Sequence, residues 1–212
     1  MNGIEMRAHR HLLETSKTYS PILHDLILDN GPVNLKRRPT GSLFEFLSRT
    51  VVGQQLSANV ASKIWARLEH QRKLLGITLY DLLTDDNADA IRGCGVSKNK
   101  VRALIGLREK CEHKSLTEKS LLHANYKETV TIITAHWGLG QWTADMCAIF
   151  FSGMTDVYPQ GDSAIIKGTN IICEREITIE EFSVPFSPYR SYLSQHIWLG
   201  LDNGYLRSAP ER

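Results

Sequence analysis

"AHWGLGQWTADMCAIFFSG", Ala135–Gly153, sets Gly138-Leu139-Gly140 directly ahead of an apolar run. Glycine inside a helix costs about 1 kcal/mol relative to alanine, so the pair marks a turn between two helices. Gly138 can take a positive φ and end the first helix. Gly140 lets the backbone approach something closely, and Leu139 can plug the gap between the helices. The N–H groups of Leu139, Gly140 and Gln141 would then point outward, an anion site that one nucleic acid phosphate would suit. The same pattern also makes a plain helix–helix corner.

The next stretch, "DVYPQGDSAIIKG", carries Asp162 after Gly161 and before an apolar segment. That position is a helix start, where the N-terminus stabilises a carboxylate. Asp162 is either a cap or an anion that faces positive charge developing in a reaction. An anion near a phosphate site repels it, so the second role asks for a cation.

The surrounding chain reads as helix. "SLFEFLSRTVVG" starts on a cap at Ser42, with Phe44, Leu47 and Val51 at helical spacing. Ser57 caps a helix whose stripe is Val60, Ala61, Ile64, Trp65 and Leu68. "LYDLL", a segment from Asp86 to Gly93–Gly95, "KNKVRALIGLREK" after Ser97, Tyr126 to about His136 after Asn125, Gln141–Phe151 and the stretch after Asp162 follow. Ser187 and Pro188 are expected to open a last helix that ends near Gly200. "EITIEEF" alternates briefly and also looks like a helix entry. The expected class is all-α.

Of 212 residues, 42% are hydrophobic and 23% charged, which is ordinary for a soluble domain. No apolar run reaches the roughly 20 residues a membrane helix needs. The start lacks a signal-type apolar core, so the expected location is intracellular. A net charge of +2 permits nucleic acid binding without demanding it. Cys94, Cys111, Cys147 and Cys173 lie far apart with no C-x-x-C pair, against a zinc knuckle or an iron–sulfur cluster. Lys36, Arg37 and Arg38 form a basic connector.

Four stretches in order carry a resemblance. "WGLGQWTADMCAIFFSGMTDVYPQGDSAIIKG" resembles the helix–hairpin–helix plus Gly/Pro-Asp signature of base-excision DNA glycosylases. "LSRTVVGQQLSANVASKIWARL", "GCGVSKNKVRALIGL" and "FSPYRSYLSQHIWLG" resemble motifs of the AlkA-like 3-methyladenine glycosylase II branch. The resemblance spans roughly residues 40 to 200. It implies a helix–hairpin–helix glycosylase fold of two helical lobes with the active site between them. The implied segments are 1–41, packing on the C-terminal lobe, 42–125 with a minor-groove-facing loop, and 126–212 with the hairpin and the aspartate.

The family kinks duplex DNA and flips a damaged nucleotide into a pocket. Breaking the bond to a cationic alkylated purine leaves positive charge on the sugar, and by family position Asp162 stabilises it or activates water. Trp142 stands where strand-cutting relatives carry a lysine nucleophile. The implied enzyme is therefore monofunctional and leaves an abasic site. Lys167 is at a different position. Trp142, Phe186 and Tyr189 are the pocket candidates, and Trp142 fits a core position under the hairpin equally. The branch favours tryptophan near Phe186, and "SVPF" compresses a longer family segment.

Gln54, Gln55, Leu56 and Ser57, with Asn59 at the rim, are candidates for the DNA-facing loop; Leu56 fits a core equally, and the glutamines fit buried hydrogen bonding. Ser97, Lys98 and Lys100 are phosphate candidates or a solvated helix start. His136, Gly138, Leu139, Gly140 and Thr143 complete the implied DNA contacts. Arg190 supports the Asp162 region or pairs elsewhere. The resemblance implies no cofactor, no iron–sulfur cluster and no catalytic metal, and allows a Na+ or K+ at hairpin carbonyls near His136 and Gly138. His9 and His11 are expected at the surface.

The implied partner is double-stranded DNA holding a damaged base, bound by a monomer away from membranes. The implied place is the nucleoid in a bacterium or the nucleus in a eukaryote. Competing expectations are excision of uracil, hypoxanthine or mismatched thymine, and a DNA-structure-binding relative with weak excision.

Overall fold

A computed structural model describes residues 3–35, 42–173 and 177–207. The basic connector Lys36, Arg37 and Arg38 lies outside them. The chain divides into two compact units, Met1–Arg37 with Ala148–Arg212, and Arg38–Cys147. The division falls at Cys147–Ala148, inside the apolar run after the hairpin, and not at 125–126. The hairpin thus belongs to the Arg38–Cys147 unit, and Asp162 to the other.

The regular elements among the described residues are all helices, with no strand. The chain opens with α1 (Gly3–Tyr19) and α2 (Pro21–Asn30). Ser20 caps α2 by accepting from the Leu23 amide, with Pro21 at the first helical position. The second unit holds α3 (Leu43–Gly53), α4 (Ala58–Leu75), α5 (Leu79–Leu82), α6 (Ala88–Gly93), α7 (Lys98–Glu112), α8 (Glu118–Leu122) and α9 (Tyr126–Thr134). The hairpin follows, then α10 (Gln141–Met146), which runs on as a π-helical turn over Cys147–Phe151. The chain then rejoins the first unit as α11 (Ser163–Ile172), α12 (Ile179–Ser183) and α13 (Arg190–Asp202).

Local chemistry sets these starts. Ser42 and Ser57 accept from the amides of Glu45 and Val60, as their positions imply. Capping boxes open α5, α8, α9 and α12, pairing Thr78 with Asp81, Thr117 with Ser120, Asn125 with Glu128 and Thr178 with Glu181. "EITIEEF" is therefore a helix entry. Ser187 does not cap the last helix: its hydroxyl donates to Asp156 at 2.8 Å, and α13 begins after Tyr189.

Each unit has its own core. Leu47, Val51, Leu68, Leu82, Leu104 and Ile133 are fully buried in the Arg38–Cys147 unit. Leu12, Leu23, Leu26, Ile165, Leu193 and Ile197 are fully buried in the other. Each such side chain contributes about 1.5–3 kcal/mol relative to exposure. Gly168 sets the approach of α11 to α13, because a Cβ there would run into Ile197 Cγ2. Among the described residues, no helix is long and apolar enough to cross a membrane.

Candidate functional site

The hairpin is built from the close approach of α7. Gly138 has φ +82°, and a Cβ on it would lie 2.6 Å from the Ala103 Cβ. Both conformation and space therefore require glycine there. Leu139 is buried and plugs the corner. Its N–H, expected to point outward, donates instead to the His136 carbonyl at 3.1 Å. Gly140 precedes α10 without any side-chain cap, so the anion-binding potential rests on Gly140 and the first turn beyond it.

A polar network ties the two arms of the corner together. Tyr126 on α9 donates its hydroxyl to Asp145 Oδ1 at 2.8 Å, and Gln141 Nε2 donates to the same oxygen at 2.8 Å. Gln141 Nε2 also reaches the Tyr126 hydroxyl at 3.0 Å. Asp145 is buried, so its partners offset the cost of its charge. The Gln141-to-Asp145 spacing of one helical turn is the sequence signal for half of this network; Tyr126 has none.

The loop between α3 and α4 splits the residues expected to face DNA. Gln54 is half-buried. It donates from Nε2 to the Gly138 carbonyl at 2.9 Å and to Thr143 Oγ1 at 3.1 Å. Thr143 is buried under that bond. Gln55, Ser57 and Asn59 are exposed, and Leu56 is 38% exposed rather than in the core. Gln55 has φ +55°, a left-handed conformation that costs a non-glycine residue about 1–2 kcal/mol. Ser97 and Lys98 are exposed, and Ser97 makes no side-chain cap bond. Lys100 is not a free surface cation. Its Nζ donates to the carbonyls of Val52 at 2.9 Å and Gln54 at 2.7 Å, and burial lowers its pKa.

His136 is half-buried, and burial, then the nearby Lys110 charge, lowers its pKa. A neutral ring makes a weaker phosphate ligand than a cation. Beside it, Trp137 is half-exposed with the Arg102 guanidinium 4.1 Å from its ring centre. The two carbonyls suggested for a monovalent cation are both engaged: His136 O accepts from Leu139, and Gly138 O from Gln54. Each carbonyl oxygen keeps a second lone pair beyond that bond. Among the described residues, no group of three His, Cys, Asp or Glu side chains could hold a metal ion.

In the other unit, Asp162 caps α11 and is 9% exposed. Its Oδ1 accepts from the amides of Ala164 and Ile165, both at 3.0 Å, and from Trp198 Nε1 at 3.2 Å. Trp198 lies on α13 and packs on Phe150 at 5.6 Å. Sequence reasoning missed Trp198, since nothing local links positions 36 residues apart. Arg190 forms a two-pronged pair with Asp156, at 2.7 Å and 2.9 Å. Burial pushes the Asp156 carboxyl up, but the bonds from Arg190 and Ser187 outweigh it and hold its pKa below the ordinary value.

Of the pocket candidates, Trp142 and Tyr189 are half-exposed. Phe186 is fully buried, edge-on to Tyr19 at 5.5 Å and 5.7 Å from Phe182. It is core, without surface to offer a ligand. His11 stacks edge-on to Tyr189 at 5.4 Å, and His9 lies 6.3 Å from the buried His196. Both are half-buried.

No protein-family model matches the sequence. The alkylbase DNA glycosidase-like protein mag2 of Schizosaccharomyces pombe is 22% identical over 203 residues, 91% of this chain and 92% of the relative. The solved 3-methyladenine DNA glycosylase Mag1 of the same yeast, in complex with abasic DNA, superposes with a TM-score of 0.79 at 22% identity. That match covers 92% of this chain and 97% of Mag1. The DNA-3-methyladenine glycosidase of Bacillus halodurans gives 0.68 at 26% identity, covering 90% and 88%. The fold is that of the helix–hairpin–helix DNA glycosylases. In sequence and in fold, the chain is similar to 3-methyladenine DNA glycosylases.

Proposed function

We propose that this protein is a monofunctional DNA glycosylase that removes alkylated purines of the 3-methyladenine and 7-methylguanine class from duplex DNA. The observation that carries this is Asp162, a buried carboxylate held by two helix amides and an indole N–H. Three donors converging on one oxygen fix its direction before any substrate arrives, which is the preorganisation that electrostatic catalysis needs. The flipped nucleotide loses its base, and the charge left on the sugar is met by Asp162 or by a water that Asp162 orients. The uncapped amides at the start of α10 grip a backbone phosphate without reading sequence. Trp142 contributes an aromatic face toward a cationic base. It offers no amine for a covalent intermediate, so the product is an intact strand with an abasic site.

The test is release of base from duplexes holding 3-methyladenine, 7-methylguanine, ethenoadenine, hypoxanthine or uracil. The methylated purines should be released, with strand breaks only after alkali and no borohydride-trapped adduct. Release confined to uracil or hypoxanthine would move the protein to the class that acts on deaminated bases. Tight binding without release of any base would make it a DNA-structure-binding relative.

A further inference from the structure

Gln54 and Gln55 are neighbours with opposite fates. Gln54 is held at both ends: its side chain donates to the Gly138 carbonyl and Thr143, and its own carbonyl accepts from Lys100. Gln55 is exposed and left-handed, and the exposed Leu56 follows. We infer that Lys100 and Gln54 form a strut that couples the Gly53–Ser57 loop to the Gly138–Gly140 hairpin, so that both are positioning residues for nucleotide extrusion. The inference rests on the glycosylase reading above.

The chemistry of each contact fits that role. The C-terminal end of α3 carries the negative end of the helix dipole, which suits an ammonium, and the Val52 carbonyl there takes one. Lys100 Nζ engages Val52 within the last turn and Gln54 just beyond it, so it pins the loop to the helix that feeds it. A left-handed non-glycine residue persists only where its surroundings over-determine it, and these bonds fix the residue immediately before Gln55. A residue pushed into the stack must resist being pushed back. Here the load on Leu56 or Gln55 passes through Gln54 into the hairpin at Gly138, and through Lys100 into α7. The ammonium is spent on carbonyls, which leaves phosphate contact to the exposed Lys98 and Ser97.

The test uses the full chain with Lys100→Met, Lys100→Arg and Gln54→Glu. Amide hydrogen exchange is followed without DNA at residues 53–57 and 138–140. Extrusion is read by 2-aminopurine fluorescence in a duplex, and affinity for undamaged duplex is measured across salt concentrations. Lys100→Met should raise exchange in both segments together and cut extrusion by about tenfold or more, a scale expected when a positioning contact is lost. Binding to undamaged duplex should keep an unchanged salt slope, because no phosphate contact is removed. Lys100→Arg should restore extrusion.

A salt slope smaller by about one, with weakened binding to undamaged duplex, would mark Lys100 as a direct phosphate contact and overturn the strut. Faster exchange in residues 53–57 alone would overturn it equally. Should Lys100→Met fail to fold, Gln54→Glu leaves the Lys100 bonds in place and sets a carboxylate against the Gly138 carbonyl. It must show the same split, and unchanged extrusion in it counts against the strut. A wild-type protein that neither extrudes nor releases any base defeats the glycosylase reading instead, and the paired exchange then decides the strut by itself.

Discussion

Asp162 takes three N–H donors on one oxygen, and an asparagine can keep that cap because its side-chain oxygen accepts the same bonds. What the amide loses is the negative charge. Asp162→Asn should therefore leave the melting temperature and DNA affinity close to wild type. Base release should fall by about a hundredfold or more, the usual scale for one preorganised electrostatic group. Single-turnover release beside a binding titration checks this, and normal release in the variant would remove Asp162 from the chemistry. The cap was legible in the sequence because "GDSAIIKG" puts a carboxylate directly before an apolar helix. Its indole partner was not, because Trp198 comes from another helix with no periodic relation to it. The same holds for Arg190, whose motif predicts a role but not that Asp156 would claim both prongs.

At the scale of elements, the hairpin depends on one backbone conformation and one contact. Gly138→Ala meets both, at φ +82° and against Ala103. The left-handed backbone should cost about 1–2 kcal/mol. Crowding against Ala103 adds about 1–3 kcal/mol. Chemical denaturation should show the loss in the Arg38–Cys147 unit, and duplex binding should weaken with it. Gly140→Ala is the control for stability alone, since a Cβ there meets no protein atom within 4 Å. The helix starts at Ser42, Ser57 and Asn125 were legible because caps act within four residues. The start of α13 was misread at Ser187 because a hydroxyl takes whatever partner is near. Here the partner is Asp156, 31 residues away in sequence. The aromatic reading of Phe186 failed likewise: the ring type was visible, but its burial between Tyr19 and Phe182 was not.

At the scale of the whole molecule, the all-α class could be read from periodicity, whereas the division into units could not. It falls within "CAIFF", where composition does not change. The unit that gathers both ends of the chain also carries a pH liability. His196 is fully buried, and burial, then the neighbouring His9, lowers its pKa from 6.5 to about 3. His9 shifts the same way through burial. The folded state thus binds fewer protons than the unfolded chain between about pH 3 and pH 6.5. Stability is fully present above the unfolded value and falls as pH drops below it, by about 1.4 kcal/mol per pH unit for one proton. Thermal melts from pH 7.5 to 5 should show that decline, and His196→Gln should flatten it.

Trp137 gives the hairpin an optical signature. Its indole is half-exposed, one residue before Gly138, with the Arg102 guanidinium over its ring. A phosphate arriving at the turn competes for that guanidinium and changes the field on the chromophore. The protein therefore carries a native fluorophore at its proposed point of grip. Replacing Trp65, Trp142 and Trp198 singly would show how much of the emission change on DNA binding belongs to it, without any attached dye.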